Sequence, residues 1–176
     1  MMMKLLSLLM TTLLFVGCST LDVSVDYDES FDFKSAKTFV IDSSSKSSKN
    51  TLFGDRVVNA LEKELELKNY EKASKGNEDL IFVFHFATKD KSDVQTSFGL
   101  SSFGGYRYGT GMMMSTTNTY EYTEGTLVID VVNPKTKKTV WRGVGVKELK
   151  SQDSPAKRTE AVNKAVKVIM EKFPIN

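Results

Sequence analysis

The chain has 176 residues, 40% of them hydrophobic and 26% charged, which fits one globular domain with a sizeable core rather than a disordered or fibrous segment. Its 24 basic and 22 acidic side chains leave a formal net charge of +2, without the concentrated basic face that nucleic acid requires, so nucleic acid is not an expected partner. One cysteine and one histidine exclude an intrachain disulfide and a Cys/His metal cage, so neither a metal nor a diffusible cofactor is expected.

Met1 to Lys4 form a short positively charged start, and Leu5 to Phe15 form an apolar run broken only by Ser7, Thr11 and Thr12. The run is too short to cross roughly 30 Å of hydrocarbon as a helix and has the length of a secretory signal's apolar region. Val16-Gly17-Cys18-Ser19 follows, and it resembles the bacterial lipobox. That resemblance implies a signal peptide over residues 1–17, cleavage between Gly17 and Cys18, and a diacylglyceryl group on the Cys18 sulfur. Two or more acyl chains, at about 0.8 kcal/mol per buried methylene, anchor a protein stably without a transmembrane helix. By analogy with lipoprotein sorting, Ser19 in place of aspartate implies the outer membrane. The absence of an acidic cluster over Ser19–Asp22 implies a periplasm-facing domain.

From residue 18 to 176 the chain is expected to be one domain. Leu21 to Asp28 alternates apolar and polar, which predicts a half-buried strand with Leu21, Val23, Val25 and Tyr27 inward. Phe31 and Phe33 are expected to pin the following connection to the sheet edge. Lys37 to Asp42 is a second strand, and Ser43 to Asn50 a serine- and lysine-rich loop. Val57, Val58, Leu61 and Leu65 then recur at helical spacing, with a stop at Lys68-Asn69 and Tyr70 folding back.

Asp79 to Thr88 is apolar on both faces, which predicts a central strand covered on both sides. It contains His85, expected to be an ordinary strand histidine because no second His or Cys exists to work with it. Lys89 to Asn118 is rich in glycine, serine and threonine and reads as a flexible loop. It carries Phe98, Phe103, Tyr106, Tyr108, Met112, Met113 and Met114, adaptable apolar groups that form a candidate contact surface. Gly104-Gly105 has no Lys-Ser/Thr pair after it and so makes no phosphate loop.

Thr126 to Val146 is the clearest hairpin signal, two β-branched runs around Asn133-Pro134. A residue near Lys137 has to take positive φ. The register that pairs Val131 with Trp141 sets Asp130 opposite Arg142, and Gly125 is a candidate bulge. Ser154-Pro155 opens a last helix with Val162, Ala165, Val166, Ile169 and Phe173 on one stripe, ended by Phe173-Pro174. The elements run ββαβββα, predicting an α+β fold with a largely antiparallel five-stranded sheet and two helices on one face.

The string Glu124-Gly-Thr-Leu-Val-Ile-Asp-Val-Val-Asn-Pro-Lys-Thr-Lys-Lys-Thr-Val-Trp-Arg-Gly143 resembles the bacterial lipoproteins grouped as domain of unknown function 4136. Val25-Asp-Tyr-Asp, Phe31-Asp-Phe, Tyr70, Asp79-Leu80 and Phe173-Pro174 extend the resemblance over nearly all of the mature chain. Asn69 and Lys137 stand where the family commonly has glycine or, at the second, asparagine. The resemblance implies an envelope protein and brings no catalytic residues with it. No nucleophile, base and orienter form a motif, and aspartates such as Asp26, Asp28, Asp32 and Asp42 usually cap turns. The expectation is therefore a non-enzymatic lipoprotein that touches the membrane through Cys18 and an envelope protein through its body. An accessory subunit of an envelope assembly or transport machine is the alternative, with a small-ligand carrier or an enzyme behind it.

Overall fold

The turn at Asn133-Pro134 forms as its residues demand. Asn133 Oδ1 accepts the Lys135 N–H at 2.9 Å, the Lys137 N–H closes onto the Asn133 carbonyl at 2.8 Å, and Lys137 takes a φ of 60°. In this computed structural model, which describes residues 21–43, 51–101, 112–149 and 154–174, the strands on either side are the middle of the sheet. Strand β5 (Met112–Val132) and β6 (Thr139–Leu149) pair with Val131 opposite Trp141 and Asp130 opposite Arg142, the expected register. The irregularity lies beside the turn and not at Gly125. Val131 pairs with Trp141 but Val132 with Thr139, so Val140 is the extra residue, and Val140 and Trp141 are both buried. Gly125 is regularly paired with Thr88 and Lys147, and its bare Cα makes room for Leu149.

The other strands are β1 (Asp22–Tyr27), β2 (Thr38–Asp42), β3 (Glu71–Lys72) and β4 (Leu80–Ser101), in spatial order β1-β6-β5-β4-β2-β3. The sheet thus has six strands rather than five. The added β3 is two residues long, set parallel to β2, and too short to show any alternation in sequence. β2 also runs parallel to β4, because helix α1 (Leu52–Leu67) carries the chain back across the sheet between them. The sheet is therefore mixed, antiparallel from β1 through β4.

Two expectations about exposure change. β4 is covered on one face only: Phe82 and Phe84 are buried, Ile81 and Val83 half-buried, and His85 exposed. In β1, Val23 packs on the core but Val25 and Tyr27 are 37% and 48% exposed, since β1 is an edge strand. The segment 89–118, expected as a loop, is mostly ladder. β4 and β5 stay paired from Lys89–Glu124 out to Ser101–Met112. Residues 92–96 and 117–121 are exposed on both faces, so no alternation marks them, and a threonine-rich ribbon reads like a loop in sequence.

Helix α1 is capped by Thr51, whose Oγ1 accepts the Gly54 N–H at 2.9 Å, and its chain turns at Asn69 with φ 62°. Helix α2 (Pro155–Met170) starts from Ser154 with proline in its first turn. Val57, Leu61 and Leu65 of α1 and Val162, Val166 and Ile169 of α2 join one core cluster with Phe82, Phe84, Ile129, Val131 and Trp141. Those strand residues alternate along their strands, so both helices cover the same face. Arg56 Nε donates to Thr159 Oγ1 at 3.0 Å and ties the helices together.

Gly143 and Gly145 explain how close α2 comes. A Cβ on Gly143 would collide with the far ring of Trp141 and stand 2.5 Å from Ile169 Cγ2; one on Gly145 would stand 2.7 Å from Ile169 Cδ1. Phe173 closes the cluster edge-on to Trp141 at 5.2 Å, to Phe82 at 5.6 Å and to Phe33 at 5.7 Å. Gly143→Ala is therefore expected to cost about 2–3 kcal/mol by overpacking. Lys137→Gly should instead gain about 0.5–1 kcal/mol by relieving the left-handed backbone. Urea midpoints of the two variants check both signs.

Candidate contact surfaces

The face of the sheet away from the helices presents rows of paired side chains. Asp26 of β1, Arg142 of β6, Asp130 of β5 and Val83 of β4 lie in one row. Around it stand the half-buried Ile81, Val128, Val132 and Val144, with the exposed His85 opposite Val128. Arg142 grips Asp130 with both arms of its fork, Nε to Oδ1 at 2.6 Å and Nη2 to Oδ2 at 2.9 Å. Asp130 is the one buried charged residue among those described, at 6% exposure, whereas the Arg142 side chain is 54% exposed. The hydrogen bonds and charge of Asp130, with Asp26 adding to them, hold the Arg142 guanidinium even more firmly protonated. The pair works as a register lock and uses two of the five guanidinium N–H groups of Arg142. Trp141, its neighbour in sequence, points to the opposite face and into the core, where its Nε1 has no hydrogen-bond partner among the described residues.

A groove of about 470 Å³ runs where β1 ends beside the start of β6, lined by Asp26 to Asp28 and Thr139 to Arg142. The aspartates near it act as turn caps. Asp28 Oδ1 accepts the Ser30 hydroxyl and N–H, which lowers its pKa, and Asp32 Oδ1 accepts the Lys34 N–H. Asp42 sits on β2, across the sheet from Asp26, so the four aspartates do not converge. Among the described residues, no three His, Cys, Asp or Glu side chains are placed to hold a metal ion.

Asp79 carries a joint that the sequence shows only as a strand start. Its Oδ2 accepts the N–H groups of Lys37 and Thr38 at 3.0 Å each and the Thr38 hydroxyl at 2.8 Å, tying the starts of β2 and β4. The Lys37 N–H first, then the Thr38 hydroxyl, hold its carboxyl below the ordinary 3.8.

The second candidate surface is the β4–β5 ribbon. At its root Lys91 pairs with Glu124 at 2.7 Å, and Thr123 donates to Asp90 at 2.7 Å. Tyr120 stacks on Tyr122 at 5.8 Å and donates to Glu148 at 2.6 Å. The Glu124 hydrogen bond raises the Lys91 pKa, and the Glu148 hydrogen bond raises that of Tyr120. β6 stops at the Thr123–Leu149 pair, so beyond it the ribbon is two-stranded and runs on for roughly 30 Å at about 3.3 Å per residue. Phe98 lies in β4 opposite Ser115, and Met112, Met113 and Met114 lie in β5 opposite Ser101, Leu100 and Gly99. Phe103, Tyr106 and Tyr108 fall outside the described residues, as do Gly17 and Cys18. The expected contact loop is thus an arm, at least up to its tip. No described helix is long and apolar enough to cross a membrane, which says nothing about spanning strands.

The family described as "Domain of unknown function (DUF4136)" matches residues 23–175. The chain belongs to that family. Among solved structures, this DUF4136 chain is similar in fold to a PDZ domain protein from Parabacteroides distasonis, with a TM-score of 0.57 and 14% identity. That likeness covers 89% of this chain and 36% of the other, so the chain spans about a third of that protein. It is also similar to a PelC dodecamer from Paraburkholderia phytofirmans, solved as a single-site variant, with a TM-score of 0.50 and 8% identity over 85% of this chain and 94% of the other. A search of curated protein sequences found no match.

The two polar joints bear on stability in different ways. Arg142→Met leaves the Asp130 charge buried without its partner and should cost about 1–3 kcal/mol, less than a fully enclosed pair because Arg142 is half exposed. The Asp79 contribution is fully present above the unfolded value near 3.8 and is lost as pH falls through its depressed folded value. Urea unfolding at neutral pH and near pH 3 should therefore show an acid loss in the native chain that is smaller in Asp79→Ala.

Proposed function

We propose that the protein is a lipid-anchored, non-catalytic lipoprotein of the cell envelope, held at the periplasmic face of the outer membrane and working by contact. The observation that carries this reading is Cys18, the one cysteine of the chain, placed directly after an apolar leader and Gly17. The DUF4136 match begins at residue 23, close behind that cysteine, so the anchor and the folded body are adjacent. In the body, the ionisable groups described above join strands and cap turns. The long ribbon and the valine-rich open sheet face are surfaces suited to touching another molecule.

A second reading, an accessory subunit of an envelope assembly or transport machine, is favoured by the ribbon. A structure with a similar fold is a dodecamer, and that assembly is a property of that protein. The partner in either case is an envelope protein, and the covalent lipid on Cys18 is the sole non-protein group.

Mass spectrometry of the N-terminal peptide from membrane-bound protein is expected to find diacylglyceryl on the Cys18 sulfur, and Cys18→Ser is expected to shift the protein to the soluble fraction. A free thiol at Cys18, or a Cys18→Ser protein still held in the outer membrane, would contradict the reading.

A further inference from the structure

Among the described residues, the β4–β5 arm has two long strand edges with no neighbouring strand. Among the described residues β2 pairs with β4 from Leu80 to Val83, and from His85 to Ser101 the outer edge of β4 pairs with no described strand. β6 covers β5 only as far as Thr123, which leaves the edge from Met112 to Tyr122 equally open on the other side of the ribbon. Proteins usually blunt such edges with proline, inward charges or bulges. Here neither stretch contains proline, and no charged residue occurs from Gln95 to Ser101 or from Met112 to Tyr120. Val94 is 65% exposed and Tyr120 57% exposed. A ribbon of two strands alone is marginally stable in water and gains by adding strands.

We propose that the open β4 edge of one arm pairs, antiparallel, with the open β5 edge of the arm of a second copy of this chain. Three features point to a second copy. The two edges lie on opposite sides of one ribbon and run antiparallel, so copies standing side by side bring a β4 edge against a β5 edge in the right direction. These same two sequences already form a continuous antiparallel ladder with each other inside the chain, from Ile81–Val132 to Ser101–Met112. On one face of the root, the β4 side carries Lys89 beside the Lys91–Glu124 pair and the β6 side carries Glu148. Glu148, Glu124 and Lys89 form one row across β6, β5 and β4, with Lys91 one step out beside Tyr122 and Asp93 beyond it.

Pairing that begins where β6 ends brings Lys89 of one copy towards Glu148 of its neighbour, while Lys91 stays with Glu124 of its own chain. Lys89 has no ion-pair partner among the described residues. Because each copy then uses one edge and offers the other, the contact is head to tail, and repeated addition closes a ring of arms or extends a sheet. The inference concerns the arm alone and holds or falls independently of the lipid on Cys18.

The test uses the full chain carrying Cys18→Ser, so that an introduced cysteine is its one thiol. Val94→Cys and Thr119→Cys are made in separate chains, and a short thiol crosslinker is added to each alone and to their mixture. Covalent dimer formed in the mixture and absent from either variant alone is the expected result. Dimer from one variant alone would replace the head-to-tail contact by a like-with-like one and overturn the proposal, and no dimer in the mixture would overturn it too. Sedimentation gives an independent readout: the Cys18→Ser chain should run as an oligomer, and adding Val94→Lys should return it to monomer with unchanged Trp141 fluorescence. A chain that sediments as monomer without the lysine, or as the same oligomer with it, would contradict the proposal.

Discussion

The structure depends on one close approach, the indole of Trp141 lying across the bare backbone of Gly143 with Ile169 of α2 seated on the same spot. A strand carrying side chains at both glycines would hold α2 off the sheet, and the buried faces of Val162, Val166 and Ile169 would lose their partner. Phe173 then lands edge-on to Trp141 and reaches Phe82 and Phe33, so the end of the chain, its first connection and its central strand meet around one ring. Fully burying rings of this size stabilises by about 1.5–3 kcal/mol each, with further gain from the edge-to-face geometry. A Trp141 Nε1 without a partner among the described residues costs about 1–3 kcal/mol, which this packing offsets.

On the other face of the same strands the constraint is electrostatic. A slip of one residue between β5 and β6 would carry either Trp141 out to solvent or Asp130 into the core, according to which strand moves. The fork from Arg142 to Asp130 and the turn at Asn133 with Lys137 at positive φ both hold the one register that avoids this. Tight packing on one face and a directional ion pair on the other thus fix the same alignment. What the sheet leaves over is an uncovered face and an arm whose root is pinned by Lys91, Glu124, Tyr120 and Glu148.

Elements with a buried stripe are legible in the sequence. The turn, the Val131–Trp141 register, both helices with the Ser154 cap, and the left-handed residues Asn69 and Lys137 follow from periodicity and local backbone chemistry. Features without a stripe are not. β3 is too short to alternate. β1 alternates correctly but lies at the sheet edge, where Val23 packs on the core and Val25 and Tyr27 are exposed. The described side chains of the arm beyond its root are exposed. The bulge lies at Val140 and not at Gly125, because a glycine in a strand signals either a bulge or a close approach, and here the close approach to Leu149 is the reason. Of the candidate site, the Asp130–Arg142 pair is visible from register, while Asp79 is hidden as a joint because its partners Lys37 and Thr38 are distant in sequence.

The molecule divides into a body fixed by the Trp141–Gly143 approach and an arm that, beyond its pinned root, is held by its own ladder among the described residues. Amide hydrogen exchange on the chain at a concentration where it is monomeric measures that division directly. Amides of Ile129 to Val131 and Trp141 to Gly143 should exchange only through global unfolding, while those of Gln95 to Ser101 and Met112 to Asn118 should exchange far faster by local opening. Arm amides as slow as those of the body in the monomer would contradict it.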